Sequence, residues 1–552
     1  MNKFKKKYFL FILFLFILFS SQSYAQLLHL PLNPAIDNSL EKYVCFTKTK
    51  NFTDTATFHP AIKPYNYGSV LQAIKTFPES YNFTKCYGKL FNPATCVSPG
   101  FTPASDEKII SENSAGFSLN YSYPATNLSN PAASNHSAVN VTYIIGQSTF
   151  PDYIQSRIAK THVIPGQGYA KSVDWGYRYQ NLSFYAATNA GKHFIFEGGF
   201  GKHFWGDGYR SLFLSDAAYS YPYFKIETTV WKVKYVNMWT NFKDITQGYD
   251  NWFKAKNKYG AFHFLSWNAT NRLNINLFEA IIWQEKTENY TRGFDVNYLN
   301  PIIFYRPVEF SLGSPDNALM GIGAHYKIGK RHFFYGQLML DDFSIKDVRS
   351  EFSHVLHPSD STITHGSWFN KQGFQLGYKF FDIFWIKNLN FRTEYNCVRP
   401  YTYSHRVVAE NYAHFNEPLA HPLGANFWES VSFLRYSRNK WFYEIEFMHY
   451  VTGLDSNGTH SGQDIFKPTY DTYMPEVNNI VVKQYNNKVA QGIKTTVDFV
   501  GLKISYLLYT PMNLRIEAGG IHRMQKSIIE NKTTDYFFIG IKSTLDNKYY
   551  DI

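Results

Sequence analysis

Residues 201–216 read GKHFWGDGYRSLFLSD, in which Gly206 and Gly208 flank Asp207, Trp205 and Tyr209 stand on either side, and Arg210 and Asp216 follow. Residue types at this spacing could cradle a phosphate, turn around a metal ion or close a tight hairpin, and spacing alone leaves all three open. Charged residues recur beside one another or beside aromatics at Arg306 and Glu309, at Asp341 and Asp342, and at Arg399 and Tyr401. Aromatic faces stack on sugar rings, while Arg and Asp satisfy hydroxyls or acidic groups. Trp205, Asp207, Arg210, Asp216, Arg306, Glu309, Asp341, Asp342, Arg399 and Tyr401 are therefore the candidate set for holding a glycan or a protein partner. The same inventory also describes a structural aromatic girdle and a salt-bridged pore lining.

Other chemistries find less support. The chain has no Gly-x-Ser-x-Gly elbow, no Walker-A spacing and no dinucleotide fingerprint, so it is read as non-enzymatic, without catalytic residues or a cofactor. Ser, His and Asn are abundant enough to keep an outer-face hydrolase of the lipase type as an alternative. His405, His414 and His421 share one loop but lack helical i, i+4 spacing, and the calcium-like opening Asp455-Ser456-Asn457-Gly458 has Phe466 where a twelfth-position acid belongs. No metal site is expected. Of the four cysteines, Cys86 and Cys96 could close a small loop, and the spacing does not decide it.

Residues 1–25 carry four lysines ahead of a short apolar run and then small residues, the pattern of a signal peptide cut near Ala25. Setting those lysines aside takes the formal net charge from +12 to +8, too mild and too dispersed for a nucleic-acid partner. Aromatic residues make up 19% of the chain. Many aromatics, scattered polar residues and no spanning helix in an exported chain point to an outer-membrane β-barrel.

The strands carry the same message. In LNFRTEYNC, Leu389, Phe391, Thr393, Tyr395 and Cys397 share one face, opposite Asn390, Arg392, Glu394 and Asn396. MNLRIEA, YEIEF and LNINL alternate likewise, a period of two that helical spacing would scramble. A soluble β-sandwich with one wet face shows the same pattern strand by strand. The fold class is read as all-β, a transmembrane antiparallel barrel of about 14–18 strands. Residues 26–113 lack clean alternation and form the expected small periplasmic or plug-like segment, with the barrel over 114–552 and long loops near 285–318, 346–370, 400–424 and 452–490. The last candidate strand, DYFFIGIKST, is followed by LDNKYYDI instead of ending on a terminal aromatic.

HPAIKPY (59–65), FGKHFWGDGYRSLFLSD (200–216), NPIIFYRPVEFSLGSPDNALMG (300–321), FYGQLMLDDF (334–343), EYNCVRPYTYSH (394–405), NYAHFNEPLAHPLGANF (411–427) and GQDIF (462–466) occur in order across most of the chain. Together they resemble the RemB-type gliding-motility proteins and, more distantly, the Wzi-type capsule-assembly outer-membrane proteins. In GDGYRSLFLSD, the residues Gly206, Asp207, Gly208, Arg210, Ser211, Leu212, Leu214, Ser215 and Asp216 fit the shared motif. The Asp-Asp-Phe at 341–343 departs from it, as does the Asn- and Pro-rich stretch at 125–140. The resemblance implies a cofactor-free barrel in the cell outer membrane, tied to surface polysaccharide or to motility and secretion machinery, with outer-membrane lipids around it. A diffusion porin is the alternative carried forward.

Overall fold

In a computed structural model the described residues are 41–42, 45–46, 59–65, 91–101, 109–123, 137–245, 252–286, 291–303, 316–342, 344–475, 478–509, 513–543 and 548–552, with backbone alone at 91–101 and 109. Nineteen strands pair into one closed sheet; one is a two-residue edge piece, leaving eighteen that run its length. They are β1 (Phe91–Phe101), β2 (Ile109–Tyr123), β3 (Ser137–Ser148), β4 (Tyr177–Ala190), β5 (Phe194–Gly201) and β6 (Tyr221–Val230). Then come β7 (Val233–Asp244), β8 (Lys256–Trp267), β9 (Leu273–Gln284), β10 (Asn317–Ile328), β11 (His332–Leu340) and β12 (Gln372–Phe380). The circuit finishes with β13 (Leu389–Val398), β14 (Phe427–Arg438), β15 (Trp441–Leu454), β16 (Ile493–Tyr509), β17 (Leu514–Lys526) and β18 (Asn531–Lys542). Each strand is antiparallel to its neighbours, and β1 closes the ring on β18 through Val97↔Ile541 and Phe101↔Phe537. Closure leaves no unpaired edge, the condition for a sheet to cross a bilayer.

The expected start of the barrel at 114 needs correction, because β1 and the first part of β2 precede it. The physical reason is visible in FNPATCVSPGF: Pro93 and Pro99 cannot donate to the ladder, and the stretch has no apolar alternation.

Alternation elsewhere maps onto two environments. On β15, Tyr443, Ile445 and Phe447 are exposed on the outer wall, and on β13 Asn390, Arg392, Glu394 and Asn396 are buried toward the lumen. Connections at one rim are long, at 149–176, 202–220, 245–255, 285–316, 341–371, 399–426 and 455–492; those at the other include the short turns 191–193, 231–232, 329–331 and 439–440. This is the asymmetry of outer-membrane barrels, with long loops outward. Trp231, Trp267, Trp385 and Trp441 are exposed at the short-turn end, where an aromatic belt meets the headgroups. Two helices, α1 (Asp152–Thr161) and α2 (Ile345–Leu356), lie in the long connections, and among the described residues no helix is long and apolar enough to cross a membrane.

Candidate functional site

The connection 202–220 does not stand on the rim; it folds into the lumen. Trp205, Leu212, Phe213 and Leu214 have no exposed surface and pack among inward side chains of the strands, with Trp205 edge-on to Phe262 and Phe213 stacked 4.9 Å from Phe278. Those apolar rings draw the segment out of water, but its backbone and charges must then find partners inside.

They find them in four of the other blocks that the sequence singled out, at 59–65, 334–343, 394–405 and 411–427. From HPAIKPY, Ile62 and Lys63 pair with Trp205 and Phe204, and the Ala61 carbonyl accepts the Gly206 N–H at 2.7 Å. From FYGQLMLDDF, the Gln337 side-chain Oε1 accepts the Leu212 N–H at 2.8 Å, and the Asp341 carboxylate accepts the Tyr403 N–H at 2.7 Å. Glu394 accepts the N–H groups of Tyr209 and Arg210 at 2.8 and 3.1 Å. Tyr403 and Tyr412 donate their hydroxyls to the carbonyls of Leu212 and Phe213 at 2.8 and 2.6 Å. Gly208 is required by this close approach, since a Cβ there would stand 2.6 Å from the Arg210 carbonyl.

At the centre lies the Arg210 guanidinium, 1% exposed, with Glu429 at 3.2 Å and Asp551 at 2.6 Å. His421 completes the cluster from the other side, 2.8 Å from Glu429, and Asn396 donates to Glu429 at 2.9 Å. Burial opposes charge on Arg210, but the carboxylates of Asp551 and Glu429 hold it well above its ordinary range. Burial lowers the His421 pKa, although Glu429 pulls the other way. Asp207 is held below the usual carboxylate range despite burial, because His325 sits 3.0 Å away.

Asp551 comes from the tail beyond β18. Its neighbours repeat the pattern: Tyr549 donates to Asp216 at 2.7 Å, Tyr209 donates to Asp551 at 3.0 Å, and Lys548 pairs with Glu112 at 2.5 Å. Residues 548–552, the described part of the tail beyond the last strand, therefore close over the 206–216 segment from within. An N-terminal piece enters beside them, where Glu41 pairs with Lys379 at 3.0 Å and Cys45 is buried by Phe333 and Tyr335.

Of the candidate binding residues, Trp205, Asp207, Arg210, Asp216, Asp341 and Tyr401 are all buried, so the expected open-rim contact does not suit them: Asp207, Arg210 and Asp216 are taken up inside by His325, by Glu429 and Asp551, and by Tyr549, while Asp341 accepts the Tyr403 N–H and Tyr401 donates to the His460 carbonyl. Asp342 and Arg399 are half-buried, with Asp342 on Lys371 at 3.0 Å and Arg399 on Glu351 at 3.6 Å. Arg306 and Glu309 lie outside the described residues, as does any bridge between Cys86 and Cys96, while Cys45 and Cys397 are free and buried. His405, His414 and His421 do not converge: the first contacts Glu410, the second Lys243 N–H and the Ser220 carbonyl, the third Glu429. Among the described residues no cluster of metal-ligating side chains forms. The residues that sequence reasoning missed are Gln337, Glu429, Tyr549 and Asp551. Their signals were present, in the lumen-facing parity of the first two and in the charged and aromatic tail after the last strand.

Barrel closure, long outer loops and an inward-folded plug define the class as an outer-membrane-type β-barrel with an occupied lumen. In fold the chain is similar to Wzi of Escherichia coli, an outer-membrane protein described as a carbohydrate-binding β-barrel involved in group 1 capsule assembly. That match has 14% identity, 94% of this chain and 100% of that one covered, and a TM-score of 0.54. Looser matches include the Pseudomonas aeruginosa proteins OprD, at 8% identity, 82% and 94% coverage and a TM-score of 0.41, and OpdK, at 8%, 82% and 96%, and 0.42. No protein-family model and no curated protein sequence matches the chain.

Proposed function

We propose that this chain is a non-enzymatic outer-membrane barrel that retains surface polysaccharide at the cell, for capsule attachment or gliding motility. The observation that carries the reading is the plug: a diffusion porin needs a water-filled lumen, and here Trp205, Leu212, Phe213, Leu214 and Arg210 are almost wholly shielded from solvent at its centre. A barrel that spends its lumen on a scaffold has its outer loops left for function. Likeness in fold to a carbohydrate-binding barrel supports the choice of ligand class.

The contacts are assigned to exposed outer-loop side chains, with the buried motif as their support. Trp175, 55% exposed, and Tyr473, 58% exposed, offer ring faces for sugars, and half-buried Arg399 offers a donor for acidic groups. Many weak contacts along a polymer give avidity without a deep pocket. The test is retention of labelled surface polysaccharide by cells carrying Trp175→Ala with Tyr473→Ala, alongside Arg399→Ala. Reduced retention by an assembled barrel is expected. Unchanged retention would remove the glycan reading, and steady conductance by the parent protein in a planar bilayer would favour the porin.

A further inference from the structure

Helix α2 is amphipathic the wrong way round for a helix on a water-exposed loop. Ser344 caps it by accepting the Asp347 N–H at 3.3 Å. Its polar side turns inward: Asp347 accepts the Ser367 hydroxyl at 2.9 Å, Glu351 accepts the Gly366 N–H at 2.7 Å, and His354 stacks on His365 at 3.6 Å. Its apolar residues turn outward, with Ile345 at 78% exposure, Phe352 at 67%, Val355 at 70% and Leu356 at 62%, joined by Val348 at 43%. At 100° per residue these five fill one arc about 100° wide. No residue of the helix is buried. Exposed Arg349 borders the arc, and exposed Lys346 lies further round.

We propose that this face of α2 docks on the outer-leaflet surface of the membrane in which the barrel sits, with the apolar arc at the acyl boundary and Arg349 and Lys346 toward anionic headgroup phosphates. Two observations choose a lipid surface over a protein. The helix is tethered to the lipid-facing wall at both ends: its connection leaves the outer end of β11, whose outward residues include exposed Phe334 and Leu338, and returns to β12, whose outward Phe374 and Leu376 are also exposed. A cation beside an apolar stripe is moreover the charge pattern of helices that lie in an anionic interface, with long basic side chains reaching the headgroups. The proposal rests on the membrane reading of the barrel and is independent of the polysaccharide role.

The full chain in vesicles containing anionic lipid, carrying an environment-sensitive dye on Phe352→Cys, tests it. The dye is expected to be quenched by spin-labelled acyl chains and to be several-fold less accessible to iodide than the same dye on His357→Cys, just past the helix; the identically treated parent chain serves as blank. Phe352→Cys with Arg349→Glu and Lys346→Glu is expected to lose much of the acyl-chain quenching. Ready iodide access at Phe352→Cys would overturn the proposal. So would iodide shielding that grows with protein density without acyl-chain quenching, which would assign the face to a second copy. A dye on Leu376→Cys in the barrel wall separates the two readings: if it too escapes acyl-chain quenching, the membrane reading fails with the helix.

Discussion

A single guanidinium holds two buried carboxylates from distant parts of the sequence, since Arg210 lies between Glu429 on β14 and Asp551 in the tail. Truncating the cation strands both anions in a place that water does not reach, a cost of about 3–5 kcal/mol. Arg210→Ala is therefore expected to lower markedly the temperature at which the barrel unfolds in detergent, read by its mobility shift on gels. Arg210→Lys should recover only part, because an ammonium cannot present two donors in one plane to separate carboxylates. Glu417 makes a pH prediction. Burial lifts its pKa to about 7, against the opposing pull of Arg157 and of the Gly166 and Tyr219 N–H groups that it receives. Because the folded pKa lies above the unfolded one, its contribution is fully present below about pH 4.5 and is lost as pH rises through about 7. The span corresponds to about 3 kcal/mol as an order of magnitude. Glu417→Gln should flatten that part of the profile in the same gel assay; an unchanged slope would show that another group is responsible.

Strands were legible wherever lipid on one side and a polar lumen on the other forced a period of two, as in LNFRTEYNC and YEIEF. β1 was not, because Pro93 and Pro99 interrupt any such period, and its membership depends on pairing with β2 and β18, far apart in the chain. Spacing reveals that Trp205, Asp207 and Arg210 belong to one turn-rich segment, but it does not place that segment, because only closure of the barrel turns the loop inward. The connection 285–316 shows the same limit. Read as an outer loop, it lies partly on the wall, where Trp239 donates to the Tyr298 carbonyl at 2.7 Å and Tyr235 to that of Pro301 at 2.7 Å. The tail belongs to this scale too. Removing residues 548–552 deletes the partners of Glu112, Asp216 and Arg210 together, so the truncated chain is expected to form its sheet yet become sensitive to protease within 206–216, whereas the full chain is protected there. Equal protection in both would demote the tail to a passenger.

At the scale of the whole molecule, segments from near both ends and from the middle of the chain meet inside one ring. Ile62–Lys63, Phe204–Asp216 and Tyr549–Ile552 are neighbours only after β1 has paired with β18. The plug is thus a consequence of closure and cannot pre-form from local contacts. Its contents bear on permeability: Trp205, Phe213 and the Arg210 ion cluster are almost wholly shielded from solvent inside the ring, and close-packed groups oppose the passage of hydrated ions. The parent protein is therefore expected to stay silent in a planar bilayer over a range of voltages. Combining Arg210→Ala with removal of residues 548–552 removes the segment's ion pair to Glu429 on β14 and all its bonds to the tail, while Gln337 and Glu394 still hold its backbone. That variant should show flickering conductance, because the segment can swing from its remaining attachments, and a further Glu394→Gln should lengthen the open times. A parent protein with stable open levels would refute the occupied lumen directly. A silent combined variant with normal gel mobility would mean that the apolar grip of Trp205 and Phe213 on Phe262 and Phe278 suffices to hold the plug without its ions.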